Sequence, residues 1–158
     1  MSMALDTPEE LKQRVGQEIA VTQWFQVTQE RIRAFAEATE DRQWIHVDKE
    51  RARRESPFRT TVAHGFLTLS LLSHFIGEAV QIRSGVRLAV NYGLNNVRFP
   101  APVRAGTQVR ARISVLTAKE VADALEVTYH VIVEREQEEK PCCVADWMVR
   151  YYKYGREM

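Results

Sequence analysis

The sequence predicts an α+β protein in which an antiparallel sheet wraps one buried helix. Residues 64–80 carry Phe66, Leu67, Leu69, Leu71, Leu72, Phe75, Ile76 and Ala79 around almost the whole helical circumference, and a helix apolar all round belongs in an interior. After residue 84 nearly everything alternates with the two-residue period of a strand. The 158 residues suit one domain, expected over 1–158 with its core at about 15–150. A domain of this size buries about 68–70% of its unfolded surface, so its fold requires no disulfide or metal.

Taken in order, Gly16 to Thr22 is a short strand candidate. Thr28 is placed to cap a helix, with Glu30 in the first turn where the helix dipole favours an acid. Ile32, Phe35, Ala36 and Thr39 follow at i, i+3, i+4 and i+7, one helical face. Asp48 caps a second, short helix through Arg54, ending before Ser56-Pro57. The apolar helix runs from about His64 to Val80. Then Val86, Leu88, Val90, Tyr92 and Leu94 alternate with Arg87, Ala89, Asn91, Gly93 and Asn95, and Val97 and Phe99 follow before Pro100-Ala101-Pro102 interrupts. Val109 to Val115, Leu125 to Val133 and Val144 to Tyr151 supply further strands. Neighbouring alternating segments joined by turns imply antiparallel pairing.

Net charge is +1, which provides no bulk field for nucleic acid or an acidic membrane. Cys142 and Cys143 are adjacent, without a Cys-x-x-Cys spacing, and read as two thiols in a reducing compartment. The N-terminus lacks the apolar run of a signal peptide. The stretch from Phe66 to Val80 is interrupted by Ser70, Ser73, His74 and Glu78, too short and too polar to span a bilayer. A cytoplasmic protein is expected.

Three segments hold candidate chemistry. Thr39 to Asp48 lacks a clear helix or strand pattern, yet places Asp41, Gln43 and His46 close together on a connection between helices. An Asp and a His held together can exchange protons with one water. Taken alone, a turn-forming Asp41 and a buried, satisfied His46 explain these residues as well. Pro57 to Phe66 enters the apolar helix, and a glycine at a helix start leaves backbone N–H groups free for a carbonyl oxygen; ordinary close packing explains Gly65 equally. Asn91 to Phe99 places Asn91, Gly93 and Asn95 on one strand face, with a bulge at Gly93 as the plain alternative.

Together, Asp41…His46-Val47-Asp48, Ala63-His64-Gly65-Phe66-Leu67 and Asn91-Tyr92-Gly93-Leu94-Asn95 with Val97-Arg98-Phe99-Pro100 resemble the MaoC-like dehydratases, which include the (R)-specific enoyl-CoA hydratases. The family pattern is Gly-Asp-x-Asn-Pro-Leu-His-x-Asp, followed by His-Gly. This chain departs from it with Glu40, Gln43 and Trp44-Ile45, a form similar to the nodulation protein N-like branch. The resemblance covers about residues 15–150.

What it implies is a hot-dog fold, a homodimer with sites near the subunit boundary, and reversible hydration of trans-2-enoyl-CoA to (R)-3-hydroxyacyl-CoA. Asp41 and His46 would be the catalytic pair, and the Gly65 N–H the oxyanion donor. Gln43, His64, Asn91 and Arg98 would meet substrate. Leu69, Ser73 and Ile76, at i, i+4 and i+7 on one helix face, are candidate walls of an acyl tunnel. Arg98, with Arg87 and Arg104, is a candidate for CoA phosphates. No cofactor is expected beyond the CoA of the substrate, and no metal, since the four histidines fit no zinc-site spacing. Two alternatives are a hot-dog acyl-CoA thioesterase and a non-catalytic acyl-CoA-binding protein.

Overall fold

The alternating half of the sequence forms the sheet expected of it. In the computed structural model, which describes residues 3–154, the chain runs β1 (Met3–Leu5), a 3₁₀ helix (Pro8–Arg14), β2 (Glu18–Val21), β3 (Phe25–Gln26), α1 (Gln29–Thr39), α2 (Trp44–Val47), α3 (Lys49–Glu55), α4 (Gly65–Ser70), α5 (Leu72–Ala79), β4 (Val80–Ile82), β5 (Leu88–Arg98), β6 (Gln108–Val121), β7 (Ala124–Arg135) and β8 (Glu138–Tyr152). The large sheet has the order β2-β6-β7-β8-β5, with β3 also on β6. Its pairs are antiparallel. β1 and β4 form a small parallel pair of their own.

The core lies where the two periodicities meet. Val109, Ala111, Ile113 and Val115 on β6, Val127, Tyr129, Val131 and Val133 on β7, and Ala145, Trp147, Val149 and Tyr151 on β8 are all buried. Leu67, Leu71, Leu72, Phe75 and Ala79 of the two central helices join the same cluster. Each fully buried large apolar side chain contributes about 1.5–3 kcal/mol, so this packing holds the helices in the sheet's concave face. Tyr129 and Tyr151 bury their hydroxyls by bonding to each other at 2.7 Å. Thr28 caps α1 by accepting from the Arg31 N–H at 3.2 Å, and Asp48 caps α3 through the Arg51 N–H at 2.9 Å.

The structure corrects the sequence reading in two places. The central helix is not one rod over 64–80 but two segments, α4 and α5, and Val80 has already left it for β4. At the break, the Leu71 N–H is shared between the Leu67 and Thr68 carbonyls, each at 3.2 Å. The Ser70 hydroxyl donates back to the Phe66 carbonyl at 2.7 Å, a local bond that bends helices. Nor is the helix buried all round, because Phe66 is 68% exposed.

The register along β5 jumps from Asn91↔Val149 to Gly93↔Met148, the bulge that is the plain alternative for this segment. Both cysteines are buried and unpaired; burial pushes the Cys142 thiol up to about 12 and the Cys143 thiol up to about 11.

Candidate active site

The connection after α1 turns on Glu40, whose φ of 61° is left-handed, and then winds into α2. This single helical turn, Trp44–Val47, is too short to display a periodicity, which explains why its sequence carries no pattern. It buries His46, which is 7% exposed. The His46 Nδ1 lies 2.6 Å from the Val62 carbonyl oxygen. A carbonyl only accepts, so Nδ1 carries the proton and Nε2 keeps its lone pair. Burial holds the ring below the ordinary histidine range. The Val62 bond opposes that effect, His64 adds to it and Asp41 opposes it. His46 is therefore an uncharged base with a free acceptor nitrogen.

A residue without any motif steadies this turn. Gln29, at the start of α1, donates from Nε2 to the His46 carbonyl at 2.8 Å, and its Oε1 accepts from the Thr61 hydroxyl. The one signal in the sequence is that Gln29 sits on the Ile32–Ala36 stripe, where a polar side chain facing inward needs a partner.

His64 comes from the other side, as the residue before α4. Its ring stacks on His46 with centroids 3.7 Å apart and an interplanar angle of 24°. Its Nε2 is 2.9 Å from the Asp41 carbonyl oxygen and 4.0 Å from Asp41 Oδ2. The Asp41 side chain itself is 51% exposed, with Oδ1 accepting from the Gln43 N–H at 3.4 Å. Donor atoms of Asp41, His46 and His64 lie within 4.8 Å of one another. These are residue types that can ligate a divalent ion, a clustering that linear spacing concealed; here the His64 Nε2 is taken up by the Asp41 carbonyl.

Gly65 opens α4, and its N–H meets no acceptor among the described residues. A Cβ there would sit 3.1 Å from the Phe99 ring, so the close approach requires glycine. Gly65 and His46 line one cavity of about 430 Å³ together with Thr68, Phe99 and Val103.

The remaining candidates lie elsewhere. Leu69, Ser73 and Asn91 line a cleft of about 400 Å³ against Trp147. Ser73, Ile76 and Asn91 extend it by about 430 Å³ towards Val149 and Tyr151. This cleft shares no lining residue with the His46 cavity. Gln43 is exposed at the start of α2 and lines neither. Arg98 is exposed, with its guanidinium on the Val97 carbonyl at 2.7 Å, and Arg87 and Arg104 are exposed as well.

A sheet wrapped around central helices, with a carboxylate near an uncharged imidazole that shares a cavity with a helix-start N–H, defines a hot-dog protein of the hydratase–dehydratase class. The chain belongs to the MaoC like domain family, whose model matches residues 10–137. It is 46% identical over 143 residues to 3-hydroxyacyl-thioester dehydratase Z of Mycobacterium tuberculosis, covering 90% of this chain and 93% of that one. It is 45% identical over 136 residues to nodulation protein N of Rhizobium leguminosarum bv. viciae, covering 85% and 84%. An R-hydratase from Pseudomonas aeruginosa superposes with a TM-score of 0.67 at 21% identity, over 89% of this chain and 83% of that one, a likeness of fold. Among the described residues no helix is long and apolar enough to cross a membrane.

Proposed function

We propose that this protein is an (R)-specific enoyl-CoA hydratase, interconverting trans-2-enoyl-CoA and (R)-3-hydroxyacyl-CoA. The observation that carries the reading is the approach of His46 to the Asp41 carboxylate, with the His46 Nε2 lone pair left over by the Nδ1–Val62 bond and His46 sharing a cavity with Gly65. The water oxygen bonds to Cβ while the Asp41–His46 pair takes one of its protons. The electron pair of the Cα–Cβ double bond moves towards the thioester oxygen, where the Gly65 N–H donates; one such donor is worth about 3–4 kcal/mol. The pair then delivers a proton to Cα, and the thioester carbonyl is restored. Dehydration is the same path reversed. The steps are proton transfer and hydrogen bonding, so we propose no cofactor beyond the CoA of the substrate.

The test is crotonyl-CoA, followed by loss of the enoyl absorbance with chiral analysis of the product. The expected result is the (R)-3-hydroxy thioester without release of free CoA thiol. Only the (S) product, thiol release without hydration, or no change at high enzyme would sink the reading.

We also propose a homodimer formed through β5. That strand is a sheet edge, and an unpaired edge is a template for another chain. It exposes Leu88, Val90, Tyr92 and Leu94, and Phe66 and Phe99 are exposed too. A patch of this kind marks an interface. Sedimentation at micromolar concentration is expected to give a dimer, and Val90→Lys with Leu94→Lys to shift it towards monomer. An active wild-type monomer at those concentrations would contradict the proposal.

A further inference from the structure

From the geometry we infer that His64 is a positioning residue, which fixes the Asp41 backbone, the His46 ring and the Gly65 peptide as one unit without itself meeting substrate. The inference rests on the hydratase reading for its kinetic consequence, but not for its geometry.

His64 is 3% exposed. Its ring is held between Phe35, at 5.0 Å, and His46, at 3.7 Å, so substrate cannot reach it without displacing one of them. Nε2 faces the Asp41 carbonyl and therefore carries a proton. That bond ties the α1–α2 connection to the start of α4 and sets where the Asp41 carboxylate projects. The backbone of His64 does the same for Gly65. Its carbonyl accepts from the Leu67 and Thr68 N–H groups at 3.1 and 3.3 Å, closing the first turn of α4 and aiming the Gly65 N–H.

The other ring nitrogen provides a second, independent observation. Nδ1 is buried with no hydrogen-bond partner among the described residues. Leaving a buried polar atom unpaired costs about 1–3 kcal/mol, a cost that a phenylalanine here would avoid. What a histidine adds to this sandwich, and an apolar ring would lack, is the Nε2–H on the Asp41 carbonyl.

What it does to His46 is electrostatic as well as steric. The titratable groups acting on the His46 ring are His64 and Asp41, and the ring's bond to the Val62 carbonyl is to an uncharged group. His64 disfavours a proton on His46 and Asp41 favours one. Burial is the main effect that keeps a proton off His46, and replacing His64 by an apolar ring changes both that burial and the charge beside it, so the pH at which His46 takes up a proton should move.

The test is His64→Phe, which preserves the stack and deletes both nitrogens, with His64→Gln as a second variant should the first fail to fold. Misplacement of reacting groups by about 1 Å costs about 10²-fold. The expected result is a kcat for crotonyl-CoA lower by about that factor, with KM little changed and the melting temperature close to wild type. Nitrogen-15 NMR titration should place wild-type His46 below the ordinary histidine value of about 6.5, and should shift it in the variant. A folded variant with wild-type kcat, or with an unmoved His46 titration, would overturn the inference. The titration uses no substrate, so it judges the positioning role even if the wild-type protein hydrates nothing, a result that would sink only the hydratase reading.

Discussion

Replacing Asp41 by asparagine, or His46 by glutamine, is expected to lower kcat by about 10²–10⁴-fold, the range of general acid–base catalysis. The double variant should be little worse than either single one, because groups that act as a unit have non-additive effects. KM should move much less, since neither side chain is proposed to grip the CoA. The two changes should differ in stability. Asp41 is half exposed, and asparagine keeps an acceptor for the Gln43 N–H, so Asp41→Asn should melt close to wild type. His46 is buried and bonded to Val62, so glutamine there should lower the melting temperature.

The acid dependence of stability provides a further check. The folded His46 resists protonation while the unfolded chain accepts it, so the unfolded state binds more protons below about pH 6.5 and stability falls as pH drops through that region. His46→Gln should remove this component. The measurement is kcat beside melting curves for the three variants; folded Asp41→Asn with near wild-type turnover would take Asp41 out of the mechanism.

The second large effect is expected at Gly65. In Gly65→Ala the new methyl would lie 3.1–3.2 Å from three carbons of the Phe99 ring, inside the ordinary carbon–carbon separation of about 3.5–4.0 Å. Phe99 packs edge-on against Phe66 at 6.3 Å and is followed by Pro100, which restricts its backbone. The Gly65 peptide is expected to yield, which moves its N–H from the position proposed for the developing oxyanion. A fall in kcat of about 10²-fold is expected, approaching the effect of deleting an oxyanion donor. Adding Phe99→Leu to Gly65→Ala should restore part of it by making room for the methyl. A Gly65→Ala protein with unchanged kcat would show that the N–H at this position is not used.

Much of this was legible in the sequence because it follows from short-range rules. Alternation in β6 and β7, with a more mixed pattern in β8, pointed to the sheet, and Thr28 and Asp48 announced the helix starts that they cap. The catalytic candidates emerged from motif resemblance rather than periodicity, since α2 is a single turn. Gln29 and Thr61 were not legible, because their roles depend on a buried bond between distant segments. The break at Ser70 was hidden for a different reason. A serine inside an apolar helix looks like an interruption of composition, and only its bond to Phe66 reveals a bend. The exposed row on β5 shows the converse limit, as alternation identifies a strand but not which face a partner will cover.

That bend divides labour along the central helix. α4 carries the Gly65 end and lines the cleft with Leu69 and Ser70, and α5 lines it with Leu72, Ser73 and Ile76 alongside residues of β5 and β8, with the shared Leu71 N–H as the joint between them. A substitution in α5 that reshapes the cleft near Ser73 or Ile76 need not rotate the turn that aims the Gly65 N–H. The cleft and the His46 cavity, which share no lining residue, can then vary separately, so the wall of one can be reshaped while the turn that carries the other is kept.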